Sequence, residues 1–166
     1  MSIEILKADY SNPEHAKAIL NLLNEYASEP IGGGKQLSDY VKKNLVSELA
    51  KLPNAFAVLV FVDGEPAALA NCFKNFSTFA CKPLVNIHDL MVSKKFRGMQ
   101  LSIKLLNEIE VMAKSWDCCK LTLEVLSNNE IAKAAYKKHG FSSYELATGA
   151  GNAEYWQKWI GKQENE

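Results

Sequence analysis

The chain has 166 residues, of which 48% are apolar and 23% charged, as in an ordinary globular domain large enough to bury its own core. Its formal net charge is zero and its sequence pI is about 6.8, which excludes the basic footprint of a nucleic-acid-binding protein and gives no reason to expect an anionic membrane partner. No apolar run approaches the roughly 20 residues that span a bilayer. We therefore expect neither a nucleic-acid partner nor a membrane partner.

The cysteines and histidines show no metal-ligand spacing, and none of the cysteines belongs to a C-x-x-C pair. The residues concerned are Cys72, Cys81, Cys118, Cys119, His15, His88 and His139. The polar start of the sequence has no signal-peptide pattern, so a reducing cytoplasm is the simplest setting. We expect a cytoplasmic protein without a metal site.

The first third of the sequence predicts one strand and two helices. Ile3 to Lys7 forms the strand, and a helix follows with Asn12 as its cap, Pro13 in its first turn and Pro30 after its end. The glycines at 32–34 indicate a flexible joint. A second helix then follows, with one apolar face made of Leu37, Val41, Leu45 and Leu49.

The middle third predicts three strands and a helix. Two β-favouring apolar runs flank Asp63-Gly64, which is a typical hairpin turn. A loop with Phe76 leads to the strand LVNIHDLMV at 84–92 and then to the basic loop KKFRGMQ at 94–100. An amphipathic helix follows, with Leu101, Leu105, Ile109 and Met112 at helical spacing.

The last third predicts a buried strand at 119–125, a helix at 129–140 that Gly140 closes, and two strands at 141–146 and 153–160. The resulting order is β-α-α-β-β-β-α-β-α-β-β. It indicates a single domain over residues 1–166 with an α+β (mixed α/β) fold. We expect a central mixed, mostly antiparallel sheet of about seven strands, with about four helices.

The basic loop has the features of an anion site. A helix N-terminus presents free N–H groups and about half a positive charge, which attract anions. Arg97 is the only arginine in the chain, and its planar fork suits bidentate contact with phosphate oxygens better than a lysine does. The loop alone leaves a solvated arginine in an ordinary turn equally open.

A second stretch, LEVLSNNEIAKAAYKKHGF at 123–141, places an asparagine before a helix, a tyrosine seven residues later and Gly-Phe at the end. Together with the V-x-x-x-x-R-G junction at Val92, Arg97 and Gly98, it resembles the GNAT superfamily of N-acetyltransferases. The order of the predicted elements is also similar to that family's fold. The resemblance implies an enzyme that transfers an acetyl group from acetyl-CoA to a primary amine by direct attack in a ternary complex.

The family's acetyl-CoA loop reads Arg/Gln-x-x-Gly-x-Gly/Ala, and this chain departs from it. Arg97 fits the first position, whereas Gln100 and Ser102 stand where the family has glycine, and glycine or alanine. Glycine lets the backbone approach the pyrophosphate and adopt unusual dihedrals. A negative φ at Gln100 would make the change inexpensive, whereas a positive φ would impose strain or a rearranged loop.

The resemblance assigns the cofactor contacts to the strand before the loop, the loop itself and a later asparagine. The pantetheine arm pairs with the strand backbone as an added strand does, and the loop holds the pyrophosphate. The expected cofactor-binding residues are Leu90, Val92, Arg97, Gly98, Met99, Gln100, Leu101, Ser102 and Asn129.

The resemblance also implies a base that deprotonates the amine and an acid that protonates the leaving thiolate. Tyr136 is the expected acid, although a tyrosine that simply packs on the sheet is the alternative. Asp89 is the preferred base, and His88 and Glu124 remain candidates. Because neighbouring strand residues face opposite sides, only one of His88 and Asp89 can point into the cleft.

The acceptor is expected to be a small-molecule amine or the amine of a peptide, close to the first two helices, the loop after the hairpin and the last strands. Glu29 and Phe76 are the expected substrate contacts. Other carboxylate and aromatic side chains in these regions could also meet a cationic amine, namely Glu25, Tyr26, Phe73 and Tyr155.

Two other functions remain open at this point. One is acetylation of a protein lysine or N-terminus, which the neutral net charge neither favours nor disfavours. The other is a non-catalytic acyl-CoA-binding sensor or regulatory module; Gln100 and Ser102 favour it, and Tyr136 argues against it. Trp156 and Trp159 could form the edge of a homodimer or pack on the chain's own sheet.

Overall fold

The computed structural model describes residues 1–144, 151 and 153–160. Contacts divide the chain into two compact units, Met1–Leu123 and Glu124–Glu166. The elements in chain order are β1 (Ile3–Lys7), α1 (Pro13–Ser28), α2 (Asp39–Ala50), β2 (Ala55–Val62), β3 (Glu65–Ser77), β4 (Lys82–Val92), α3 (Leu101–Ser115), β5 (Leu121–Leu123) and α4 (Glu130–Lys138). Short 3₁₀ turns lie at Pro30–Gly32 and Lys94–Phe96.

The first unit is built on one mixed sheet with the strand order β1-β2-β3-β4-β5. The first four strands pair antiparallel, and β5 pairs parallel to β4. The expected α+β fold with a mostly antiparallel mixed sheet and four helices is therefore confirmed, but the sheet of the described residues has five strands rather than about seven.

The two missing strands are those predicted near the end of the chain. Residues 141–144 and 153–160 form no strand, and the rest of the first segment, 145–146, lies outside the described residues. The aromatic residues there favoured a strand because of their high strand propensity. That propensity reflects how well a side chain fits a pleated surface, and it does not supply a hydrogen-bonding partner for the backbone. Phe76 is a second correction, because β3 pairs with β4 as far as Ser77 and so includes the residue expected in a loop.

Local chemistry accounts for where these elements begin and turn. The Asn12 side chain accepts hydrogen bonds from the first turn of α1, with Pro13 as the first helical residue. Ser38 caps α2 in the same way. Asp63 and Gly64 have φ of 49° and 81°, as the tight turn of a two-residue hairpin requires.

The sheet is covered on both faces. One buried cluster joins α1 to alternate residues of the central strands, namely Ala18, Ile19 and Leu22 with Ala57, Leu59, Leu69 and Met91. The residues between them on the strands, such as Val58, Val60 and Ala70, are fully buried as well and must point to the opposite face. Because α3 contacts β2, β3 and β4, it covers that second face.

β4 carries a bulge at His88. Asn71 of β3 lies opposite Asp89 and Cys72 lies opposite Ile87, so His88 has no partner in the ladder. An extra residue of this kind shifts the alternation of the strand by one position.

The bulge reverses the side to which the backbone of β4 donates its hydrogen bonds. Before the bulge, Val85 N–H donates on the β5 side at 3.1 Å; after it, Ser93 N–H donates to the Ala67 carbonyl of β3 at 2.9 Å. In a regular strand these two odd-numbered residues would point the same way. The backbone groups of Leu90 and Val92 therefore point away from β3.

The second unit contains α4. The Asn129 side chain caps this helix by accepting from Ala132 N–H at 3.2 Å. Gly140 follows the helix with φ of 100°, and Phe141 N–H donates back to the Tyr136 carbonyl. This is the glycine-terminated helix end that the sequence predicts.

Candidate active site

An open strand edge lies on β4 beyond its pairing with β5. The parallel pairing covers Val85 to Ile87, and no strand of the described residues continues it. The backbone groups of Leu90 and Val92 face this edge because of the bulge. An extended ligand could pair with them as an added strand would.

The loop that follows, residues 93–100, is fastened to the body of the first unit. Phe96 is buried, and the Ser93 N–H bonds to β3. The Glu25 carboxylate on α1 accepts a hydrogen bond from Lys94 N–H at 2.8 Å. Lys95 forms an ion pair with Glu65 at the start of β3. The loop therefore has a defined position relative to the open edge.

Arg97 is held on two sides by the protein. Its Nε donates to the Val92 carbonyl at 3.2 Å, and its Nη2 donates to the Glu29 carboxylate at 2.5 Å. The Glu29 side chain is only 12% exposed, whereas that of Arg97 is 51% exposed. The guanidinium thus has an outer edge in solvent, with N–H groups to spare for the oxygens of an anion.

Gln100 adopts the left-handed conformation, with φ of 58° and ψ of 26°. It precedes the first residue of α3 and makes no side-chain hydrogen bond to the helix. The positive φ means that Gln100 strains the loop backbone, since the left-handed conformation costs a residue with a Cβ roughly 1–2 kcal/mol. Gly98, two residues earlier, has φ of 84° and meets this requirement without such a cost.

The beginning of α3 suits a pyrophosphate. The N–H groups of Leu101, Ser102 and the next residue have no partner within the helix, and no side chain caps them. The 15-residue helix adds the positive end of its dipole, and Arg97 lies three residues before Gln100. The loop and helix together could hold the diphosphate of CoA, while the β4 edge could hold its extended arm.

Asp89 lies on the α1 face of the sheet, two residues before Met91 of the buried cluster. Its Oδ2 accepts a hydrogen bond from the Asn71 side chain at 2.9 Å, which orients the carboxylate. Burial raises the pKa of Tyr26 on α1, and the negative charges of Asp89 and Glu29 raise it further. These three residues therefore form an acidic and aromatic group beside the open edge.

Several predicted residues are not brought to this place. His88 is exposed and packs edge-on against the Phe73 ring at 5.6 Å. Phe76 pairs with Pro83, seven residues before Leu90 along β4, so it lies roughly 20 Å from the open edge.

Three further predicted residues belong to the second unit and are described within it. Asn129 uses its side-chain oxygen as the cap of α4. The Tyr136 ring lies 5.8 Å from that of Phe141, and Glu124 is exposed.

Asn71 is the residue of this candidate site that the sequence analysis did not predict. It is 5% exposed, and its Oδ1 has no partner among the described residues. A buried amide inside an otherwise apolar strand, ALANCF, is a signal that could have been noticed, because such groups need a specific partner.

No group of three or more potential ligands for a metal ion occurs in the part of the chain that the structure describes. Among the same residues, no helix is both long and apolar enough to cross a membrane.

The chain matches the model of the acetyltransferase (GNAT) family over residues 16–141. No curated protein matches it.

Solved structures of similar fold include a possible acetyltransferase from Clostridium difficile 630, which is 21% identical with a TM-score of 0.76 over 96% of this chain and 99% of that one. An integron cassette protein from the mobile metagenome of V. cholerae is 21% identical with a TM-score of 0.77, over 95% and 93% of the two chains. AAC(6')-Iy, in complex with the bisubstrate analog CoA-S-monomethyl-acetylneamine, is 14% identical with a TM-score of 0.75, over 96% and 100%. These likenesses concern the fold, whereas the family match covers more than half of the sequence; the chain belongs to the acetyltransferase (GNAT) family.

Proposed function

We propose that the protein transfers an acetyl group from acetyl-CoA to the primary amine of a small molecule. The observation that carries this proposal is the continuity of three features: the open edge of β4, the guanidinium of Arg97 and the uncapped N-terminus of α3. Together they offer backbone partners for an extended arm and positive groups for a diphosphate. Bound acetyl-CoA supplies the acetyl group as an activated thioester.

Asp89 is the base in this proposal. A free alkyl amine has a pKa of about 10.4, so it arrives protonated and must lose a proton before it can attack. The Asp89 carboxylate is next to the residue that begins the open edge, and Asn71 fixes its orientation. It can hold the ammonium by charge and accept its proton, directly or through one water.

Tyr136 is the proposed acid. As the amine nitrogen bonds to the acetyl carbon, the carbon–sulfur bond breaks and the sulfur leaves as a thiolate, which needs a proton. The nitrogen of the new amide gives up its extra proton at the same stage, and that proton returns to the tyrosinate directly or through water. A phenol is a suitable donor for that step. Tyr136 lies on α4, in the C-terminal part of the family match, and Asn129 fixes the start of that helix.

A ribosomal-protein-alanine N-acetyltransferase is among the neighbours in fold, but the small-molecule amine is proposed because aminoglycoside acetyltransferases recur among these neighbours. One of them is an aminoglycoside acetyltransferase in complex with sisomicin, and another is AAC(6')-Iy with its neamine-derived analog. The Asp89 carboxylate near Tyr26 is consistent with a cationic acceptor.

The first test is calorimetric titration of acetyl-CoA into the wild type and into Gln100→Gly in the same buffer. We expect micromolar binding by the wild type, followed by turnover in a screen of small amines. Binding without turnover on any amine would favour an acyl-CoA-binding module, and turnover only on peptides would favour a protein acetyltransferase. Absence of binding by both proteins would overturn the cofactor assignment.

The second test is Tyr136→Phe, which removes the hydroxyl and keeps the ring. We expect kcat to fall about tenfold or more while acetyl-CoA binding stays nearly unchanged, because only the proton donor is lost. Unchanged turnover at saturating substrates would remove Tyr136 from the acid role.

A further inference from the structure

Glu29 sits where a carboxylate is electrostatically unfavourable. It is the C-cap residue that follows α1, at the negative end of the helix dipole, and no basic residue lies in the last turn. Glu25 lies one turn earlier on the same face, which adds repulsion between like charges. A partner outside the helix must therefore account for this pair.

Both carboxylates are directed at the loop that carries Arg97. Glu25 accepts from Lys94 N–H at 2.8 Å, and Glu29 accepts from Arg97 Nη2 at 2.5 Å. Glu29 is largely withdrawn from water, with 12% of its side chain exposed. A charge pair with one nearly buried partner is screened less by salt than an exposed pair and fixes its geometry more firmly.

The contact fixes the orientation of the Arg97 guanidinium but leaves some of its N–H donors available for a ligand. Val92 holds Nε through its carbonyl, and Glu29 holds Nη2 from another direction, so the plane of the guanidinium is fixed. Half of the side chain remains exposed. A planar fork that is already fixed loses less conformational freedom when it binds an anion.

The backbone of Glu29 is fixed as well. Its carbonyl accepts from Gly32 N–H and Gly34 N–H, both at 2.9 Å. A Cβ on Gly32 would lie 2.0 Å from the Tyr26 carbonyl oxygen, so the turn after α1 packs directly on that helix. Glu29 therefore presents its carboxylate from a rigid junction.

We propose that Glu29 is a positioning residue, which fixes the Arg97 guanidinium so that its free edge meets the diphosphate of the acyl-CoA. The inference rests on the proposed function and gives Glu29 a different task from contact with the acceptor amine. Glu29 touches no reacting atom; it acts only through Arg97.

The first experiment uses the protein without ligand. Because Arg97 is the only arginine, a ¹⁵N-labelled sample gives a single arginine Nε–H signal without further assignment. Glu29→Gln removes the charge-assisted bond at Nη2, so the guanidinium can turn and the neighbouring bond from Nε–H to the Val92 carbonyl loosens. We therefore expect the Nε–H signal to shift and its hydrogen exchange to accelerate roughly threefold or more. Glu48→Gln, which breaks the exposed Glu48–Lys51 pair on α2, is the matched control and should leave the signal unchanged. An unchanged signal in Glu29→Gln overturns the proposal whether or not the protein binds CoA.

The second experiment measures acetyl-CoA affinity and kinetics in a double-mutant cycle. Glu29→Gln should weaken binding roughly three- to tenfold and raise KM for acetyl-CoA with little change in kcat. In the Arg97→Gln background the same substitution should change affinity less than about 1.5-fold, because its effect passes through Arg97. Tighter binding by Glu29→Gln would show competition with the anion, and an equal loss in both backgrounds would show an independent structural role; either result overturns the proposal.

The two experiments fail separately from the proposed function. If the wild type binds no acetyl-CoA, the function falls, while the arginine signal still decides whether Glu29 fixes Arg97.

Discussion

Four described residues other than glycine have a positive φ, and two of them, Asp63 and Gln100, differ in how that conformation is supported. Asp63, with φ of 49°, connects β2 to β3. Its Oδ1 accepts from Ser2 N–H at 2.7 Å, and its own N–H donates to the Ser2 carbonyl. Gln100, with φ of 58°, lies before α3 and makes no side-chain bond to the helix.

The difference separates a turn that stabilises the fold from one that belongs to the proposed acetyl-CoA site. Aspartate tolerates the left-handed region because its short side chain bonds locally, and here it also fastens the start of β1. Glutamine has no such compensation, and the strain stays in the loop that carries Arg97. Strained backbone of this kind persists where the surroundings impose it, as is common at binding sites.

Among substitutions in or near the two turns, Arg97→Ala is expected to have the largest effect, and that effect is on acetyl-CoA affinity. We expect acetyl-CoA affinity to fall about 30-fold at low salt and less at high salt, because charge pairing with a diphosphate is screened. Titration calorimetry at two ionic strengths measures this. A loss that does not depend on salt would assign Arg97 a structural role.

Asp63→Ala should lower the stability of the fold without changing acetyl-CoA affinity. It removes the acceptor for Ser2 N–H and leaves a left-handed alanine, so the free energy of unfolding should fall by about 1–2 kcal/mol. Urea denaturation measures the loss, and acetyl-CoA affinity should stay unchanged. Asp63→Asn keeps both the acceptor and the tolerance for positive φ, and it should behave as the wild type does. A clear loss of affinity in Asp63→Ala would contradict the separation of the two turns.

Gln100→Gly should have the smallest effect on stability. Relief of the left-handed strain stabilises the native state, while the freer unfolded chain offsets part of the gain, so we expect an increase of at most about 1 kcal/mol. Gln100→Asn should fall between glycine and the wild type. A loss of stability in Gln100→Gly would mean that the glutamine side chain makes a stabilising contact.

The sequence predicts most of the fold because the signals there are local. Asn12, the Asp63-Gly64 turn and Gly140 act within a few residues of themselves, and the structure has a helix start, a hairpin and a helix end at those places. The extent of β3 and the absence of strands at 141–144 and 153–160 depend on pairing partners elsewhere, which local patterns do not contain.

In the candidate site, too, the local features could be predicted from the sequence and the long-range contacts could not. The loop motif predicts Arg97 and shows the departure at Gln100, but the sign of φ at Gln100 depends on how the loop packs in three dimensions. The bond between Arg97 and Glu29 joins residues 68 positions apart, and the partner of Asp89 lies 18 positions before it. Contacts of that range arise from strand register and helix docking, so composition and periodicity do not reveal them.

The bulge at His88 sets the hydrogen-bonding register of the second half of β4. Deleting or inserting one residue between Ile87 and Leu90 would exchange the backbone groups that face the open edge for those that bond to β3, whatever the side chains are. Changes of length in this strand should therefore abolish acetyl-CoA binding at positions where single substitutions are tolerated. A deletion scan along β4, set beside a substitution scan of the same residues, would make that asymmetry visible, and length conservation in this strand would then be a stricter mark of cofactor binding than residue identity.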